Sequence, residues 1–297
     1  MGRGETAGLL AAAFWATGSL MYGRTRLTAL SMNYGKNVIA TFVLLAHLWI
    51  AALMSSRGMF EADAAAWGWL SLSALFGIVA GDTFYFRSLQ ILGPRRALVV
   101  STTSPVFAAF LGWSFLGETI SLACGIGIAL TLLGVSVVSM DRKSEHEAPG
   151  LFPGSLRHGV LIGTAGALCN ALGAVASRHA MLNVDAVEAA FIRILVSAAA
   201  SMVIVRATGS LQAANREILK PAVIRWFLPA VLCGTWLGIW LSQIAYKYSP
   251  VAVATTLTST TPIFAIPLVY FFLGHRPTFS GVAGTVIAVT GVWLTAR

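Results

Sequence analysis

The sequence predicts an all-α membrane protein of ten transmembrane helices, built from two inverted five-helix repeats. Three observations predict it. The first is composition: 57% of the 297 residues are hydrophobic and 10% are charged, against about 25% charged in a soluble domain. A chain this apolar cannot cover its surface with polar groups, so it belongs in lipid. The second is ten apolar runs of spanning length, at about 6–22, 34–54, 67–88, 97–115, 120–139, 159–177, 186–205, 226–246, 251–272 and 279–296. The third is self-similarity. STTSPVFAAFLGWSFLGE (101–118) and TSTTPIFAIPLVYFFLGH (258–275) lie 157 residues apart and agree at eight of eighteen positions.

Lipid offers the backbone no hydrogen bonds, so spanning segments are helices or closed barrels. These runs lack strand alternation and are too long for barrel strands. The 29 glycines, with many Ala and Ser residues, suit close helix packing in membranes. The first run reads as a retained helix, since Glu5 interrupts the basic segment of a signal peptide. Cys124, Cys169 and Cys233 all fall inside apolar runs, an odd and lipid-buried set that argues against disulfides.

The offset of 157 also aligns Gly77 and Gly81 with Gly234 and Gly238, and Gly127, Gly134 and Val135 with Gly284, Gly291 and Val292. The chain therefore divides into a first repeat (1–140), a charged, turn-rich linker (141–158) and a second repeat (159–297). Each repeat holds five runs. An odd number of spans ends on the side opposite its start, so the second repeat is expected upside down. That symmetry is a design of secondary transporters, because two like halves in opposite orientations can exchange conformations.

The ten helices in two copies, each with Ser/Thr-Pro early in its fourth helix and L-G-E or L-G-H at that helix's end, resemble the drug/metabolite transporter superfamily, EamA-type. The likeness covers essentially the whole chain. FLGETISLACGIGIALTLLGVSVV (115–138) and EAAFIRILVSA (188–198) resemble two further stretches of that family. His275 stands where the first copy has Glu118, and Lys36 replaces an arginine. The resemblance implies export or exchange of a small organic metabolite, such as an amino acid or drug-like solute, with no enzymatic activity.

Candidate site residues follow from chemistry and spacing. Asp82 lies deep in the third run, where a carboxylate is costly and marks function by default. It is an ion-coupling candidate, with protons as the coupling ion, or a cation ligand. The competing reading is a structural pair with Arg87, Lys36 or Arg193. Tyr85 follows on the same face, and Trp236, Trp240 and Gln243 share a face of the eighth helix. Trp15 and Ser19 do so on the first, and Asn170 on the sixth is a polar lining candidate. Pro105 and Pro262 free the carbonyls four residues back, so Thr102, Thr103, Ser259 and Thr260 are placed at kinks able to line a cavity; Pro267 adds a bend to the ninth helix alone. Arg193 reads as structural, snorkelling or pairing with Glu188, and His47 as a hydrogen-bonded histidine between helices.

The histidines and carboxylates show no metal-ligand spacing and the chain has no phosphate-binding loop, so no metal or cofactor is expected. The net charge of +9 is scattered over short loops, which suits lipid head groups rather than nucleic acid. The expected partners are a small-molecule substrate and membrane lipid, for a monomer or homodimer in the cell membrane. An uncoupled facilitator is the alternative function, and a non-transporting assembly or sensor subunit a more distant one.

Overall fold

The structure, a computed structural model, describes residues 2–25, 27–55, 58–92, 97, 100–139, 155–181, 184–273 and 278–295. Most of the 141–158 linker and His275 lie outside these. Among the described residues the chain is helical and has no strand. In order, the elements are α1 (Arg3–Gly23), α2 (Ala29–Ser55), α3 (Ala64–Ser73), a π-helical turn (Ala74–Ala80), α4 (Gly81–Leu92), α5 (Ser104–Leu116), α6 (Leu122–Ser139), α7 (Leu156–Ala180) and α8 (Ala186–Ala207). They continue with α9 (Leu211–Ile218), α10 (Pro221–Ala230), a second π-helical turn (Val231–Leu237), α11 (Gly238–Tyr248), α12 (Val251–Thr258), α13 (Thr261–Leu273) and α14 (Phe279–Thr295). Among the described residues, six segments are long and apolar enough to cross a membrane: Leu30–Ser55, Ala64–Leu89, Leu156–Ala180, Ala186–Ala207, Pro221–Tyr248 and Val251–Leu268.

Local chemistry sets the ends. Asp63 accepts the Ala66 N–H at 2.7 Å, Ser155 that of His158 at 3.2 Å and Asp185 that of Val187 at 2.8 Å. Each side chain satisfies one of the unpaired donors at a helix start. Gly117, at φ 64°, ends α5 in the left-handed region.

The expected kinks are breaks. The run at 97–115 is interrupted at Thr102–Thr103 and the run at 251–272 at Ser259–Thr260. Pro105 and Pro262 are the second residues of α5 and α13, a position where a missing N–H costs nothing. Pro267 sits inside α13, as Pro229 does inside α10. Hydroxyls at the breaks bond back to nearby carbonyls: Thr103 Oγ1 donates to Val100 O at 2.7 Å, Thr260 Oγ1 to Leu257 O at 2.6 Å, and Thr261 Oγ1 to Thr258 O, the carbonyl that Pro262 frees, at 2.8 Å.

Element bounds recur at the sequence offset. The π-helical turns start at Ala74 and Val231, α4 and α11 at Gly81 and Gly238, and α5 and α13 at Ser104 and Thr261. Packing recurs too. The most extensive contact between elements is α6 against α14. A methyl on Gly127 would come within 2.8 Å of Gly291 O, and one on Gly291 within 2.6 Å of Gly127 O. The mates repeat this, with 2.5 Å from Gly134 to Gly284 O and 2.8 Å in return. The first helix of each copy packs on the other copy. α1 lies against α11 and its π-helical turn, and α7 against α4 and the other such turn. A Cβ on Gly18 would sit 2.7 Å from Gly234 Cα, and one on Gly173 2.6 Å from Gly77 Cα. Neither copy has a complete core without the other. Outward faces carry exposed Phe42, Trp49, Phe110, Trp113 and Phe271, as a lipid-facing surface requires.

Candidate functional site

A cavity of about 380 Å³ lies where the two copies meet. Both π-helical turns and both helix breaks reach it. Gly77, Ile78, Asp82 and Tyr85 line one side, and their offset mates Gly234, Thr235, Ile239 and Ser242 line another. Ser101, Thr102 and Ser104 from the first break face Thr258, Ser259 and Thr261 from the second. A π-helical turn admits one extra residue and loosens the backbone ladder. The break after it exposes hydroxyls at a point where the chain changes direction.

Of the residues expected from sequence, Trp15, Ser19, Asp82, Tyr85, Thr102, Asn170, Ser259 and Pro262 stand in the wall. Ser19 Oγ donates to Ala16 O at 2.8 Å and Asn170 Nδ2 to Gly166 O at 3.1 Å, so both hydroxyl and amide are partly spent on their own helices. Asn170 also packs on Gly81, where a methyl would meet its carboxamide at 3.1 Å.

Others are not in the wall. Thr103 and Thr260 turn back to the backbone of their own break. Trp236, Trp240 and Gln243 point away. Trp236 Nε1 donates to His47 Nδ1 at 3.2 Å, Trp240 packs edge-on against His47 with centroids 4.7 Å apart, and buried Gln243 accepts from Ser177 Oγ. The wall here is instead Thr235 of the π-helical turn with Ile239, Ser242 and Tyr246 of α11. The two stripes have the same spacing and differ by one residue, about 100° around the helix. Spacing alone does not fix that phase.

The charges follow one expectation and depart from another. Lys36 Nζ lies 3.0 Å from Asp82 Oδ2, one of the three pairs the sequence left open for that carboxylate. Arg193 does not pair with Glu188, which accepts the Glu61 and Ala62 N–H groups at 3.0 and 2.9 Å. Arg193 is 5% exposed, stands in the cavity wall, and its Nε has no hydrogen-bond partner among the described residues. Lys36 and Arg193 were missed as wall residues. The available signal was the offset itself: 36 and 193 are 157 apart and both are basic.

One end of the bundle is tied shut. Glu118 Oε1 accepts from Arg178 Nε at 3.0 Å and Oε2 from the Val251 N–H at 2.8 Å. Arg178 Nη1 donates to Lys247 O at 2.8 Å, and Lys247 Nζ to Val184 O at 2.8 Å. Ser249 Oγ adds a bond to Glu5 at 2.9 Å. These are the ends of α5, α7 and α11 and the starts of α1 and α12. Arg193, Tyr246 and Thr255 lie within about two turns of that end, whereas Tyr22 and Met32 border the opposite end, beside the α1–α2 turn. The cavity thus runs from beneath the tied end toward the α1–α2 turn. Partway along, Tyr22 and Thr235 share a hydroxyl–hydroxyl bond of 2.7 Å.

The profile of the EamA-like transporter family matches residues 2–140 and again 157–297. The chain belongs to the EamA-like transporter family. It is 28% identical over 295 residues to an uncharacterised transporter of Archaeoglobus fulgidus, covering 96% of this chain and 95% of that one. An uncharacterised transporter of Sinorhizobium, encoded in a cobO 3′ region, is 29% identical over 136 residues, 44% of this chain and 93% of the relative. Protein LicB of Haemophilus influenzae is 27% identical over 150 residues, and this match spans 48% of the chain and about half, 49%, of LicB. A crystal structure at 20% identity superposes with a TM-score of 0.75 over 98% of this chain and 95% of its own, which speaks to fold. The transporter is thus a multi-pass integral membrane protein. Among the described residues no three His, Cys, Asp or Glu side chains group as a metal site.

Proposed function

We propose that this transporter moves a small organic solute across the cell membrane by alternating access, with ten spans arranged as inverted repeats 1–140 and 159–297 about the linker 141–158. One observation carries the reading: matched π-helical turns and matched helix breaks from both copies converge on a single cavity closed at one end. Backbone irregularity at membrane depth is tolerated where it lines such a cavity. The antiparallel glycine contacts between α6 and α14, reciprocal under the offset, support a two-fold relation between the copies. The Glu118–Arg178–Lys247 cluster is then the closed gate, and exchange of conformations between the copies opens it.

Solute binds among Trp15, Ser19, Asp82, Tyr85, Thr102, Asn170 and Ser259. Asp82, held by Lys36 at 3.0 Å, is the ion-coupling residue, with protons as the coupling ion. The solute class is amino-acid-like or drug-like, the direction is export or exchange, lipid is the surrounding partner, and the unit is a monomer or homodimer. A second reading, the uncoupled facilitator, has the 3.0 Å Lys36–Asp82 pair in its favour, since the carboxylate is already matched by a cation of the protein.

The test compares solutes in the medium of cells overexpressing wild type or Asp82→Asn, at equal membrane expression, by untargeted mass spectrometry. A solute class that rises with wild type and not with the variant is the expected result. Equal release by both leaves the facilitator. No change in the medium with either protein overturns export.

A further inference from the structure

The two cavity cations occupy the same position in the two copies, and only one has a carboxylate. Lys36 and Arg193 are offset mates, as are Asp82 and Ile239. All four line the cavity. In the first copy the pair is complete, with Lys36 on Asp82 at 3.0 Å. In the second, Arg193 has the apolar Ile239 where its partner would stand.

Arg193 carries a high desolvation cost at this position. A guanidinium removed from water is retained where an anion or a full set of acceptors offsets that cost. The second copy supplies neither. Glu188, five residues earlier on α8, is engaged with backbone N–H groups, and Nε of Arg193 is buried without a partner among the described residues. Tyr246 and Asp82 lie within electrostatic reach, but Asp82 already holds Lys36. The three charged side chains leave the cavity with one net positive charge.

Room for the guanidinium is made by the backbone. A methyl on Gly77 would come within 3.2 Å of an Arg193 terminal nitrogen and 3.4 Å of Gly173 Cα. The π-helical turn beginning at Ala74 brings this glycine to the cavity wall.

We infer that Arg193 is an anion-binding residue and that the transported solute carries a carboxylate or phosphate group, which takes the place left by Ile239. This rests on the transport reading and narrows its substrate class. Arg is suited to the task, because its planar fork matches both groups through two parallel N–H···O bonds. The rest of the solute would lie toward Tyr85 and Trp15. A resident inorganic anion has the same chemistry, and the experiment separates the two sources.

The full-length protein, purified in lipid nanodiscs, is titrated with one probe at a time while its melting temperature is followed. The probes are chloride, inorganic phosphate, benzoate, glutamate, glycerol 3-phosphate and choline. At least one organic anion is expected to stabilise the wild type, with choline inert. Arg193→Gln should need about tenfold more of it or lose the response, since losing one charged hydrogen bond has that scale.

Ile239→Asp provides the second variant. By placing the missing carboxylate in the second copy it should raise the melting temperature without added anion and abolish the response to organic anions. Stabilisation by choline alone, or equal responses in wild type and Arg193→Gln, overturns the inference. A response to chloride and phosphate but to no organic anion overturns the substrate assignment in favour of a resident ion. Counterflow of the stabilising probe in proteoliposomes then separates the two readings. Counterflow lost in Arg193→Gln supports both. Binding without counterflow in the wild type overturns transport of that anion and leaves the site. Counterflow of choline only overturns the anion and leaves transport.

Discussion

The segments 74–85 and 231–242 have the same backbone and different chemistry. Each begins with a π-helical turn of seven residues, passes a glycine at the start of the next helix, and faces the same cavity. One then presents Asp82 and Tyr85, the other Ile239 and Ser242. Duplication supplied the shape twice, and divergence of a few side chains left a carboxylate in one half only. What the copies share is therefore mechanical, and what they do not share is chemical.

That contrast is open to direct attack, and the largest effect is expected at its centre. Asp82→Asn should lower solute movement by about a hundredfold, on the scale of losing a charged hydrogen bond and leaving its partner unsatisfied. Ile239→Ala should lower it by no more than about threefold, a change of well under 1.4 kcal/mol. Both are read as initial rates in proteoliposomes, and equal losses would mean the halves are chemically equivalent after all.

The shared part is tested by Gly134→Ala and Gly284→Ala. Each methyl enters the other helix's backbone, at 2.5 and 2.8 Å from the facing carbonyl oxygens. Overpacking of this kind costs about 1–3 kcal/mol. The two variants should lose similar amounts of melting temperature, and a large difference between them would break the reciprocity.

A third comparison sets the tied end against its counterpart. Glu118→Gln keeps the shape but removes the charge that holds Arg178 at 3.0 Å. It should weaken closure by about 1 kcal/mol and raise the labelling rate of a cysteine at Thr255 by a charged maleimide several-fold. The first copy's Glu118 has His275 as its mate, so His275→Gln should leave that rate unchanged.

The smallest effect is expected at Trp236. Trp236→Phe loses one bond to His47, about 1 kcal/mol of stability. Its apparent solute affinity should equal that of the wild type, since this side chain lies outside the cavity.

Much of this was readable before any coordinates. Composition placed the chain in lipid, and the two Ser/Thr-Pro stretches located both breaks to within two or three residues. Asp82, Tyr85, Trp15 and Asn170 were reachable because polar or aromatic groups in an apolar helix need a reason to be there. The phase of α11 was not readable, because spacings of four and three residues describe two adjacent stripes equally well. Trp236 and Trp240 drew attention by size, yet it is the small hydroxyls of Thr235 and Ser242 that leave space for a solute. The π-helical turns were invisible too. They lie where α1 and α7 pack closely on Gly234 and Gly77, a contact no local pattern encodes. Arg193 was discounted because a basic residue two turns from a helix end resembles one reaching for water.

The α6–α14 pair sits to one side of the cavity, and at its two glycine crossings the backbones approach too closely to admit a side chain. Under the proposed alternating access, opening would be borne by the other elements, with this pair acting as a strut against which they turn. A covalent staple between α6 and α14 would then be harmless to turnover, whereas the same staple between α5 and α12, across Glu118 and Val251, would freeze it. The pair also offers a fixed frame for distance measurements by spectroscopic labels, one whose own length stays constant while everything measured against it changes.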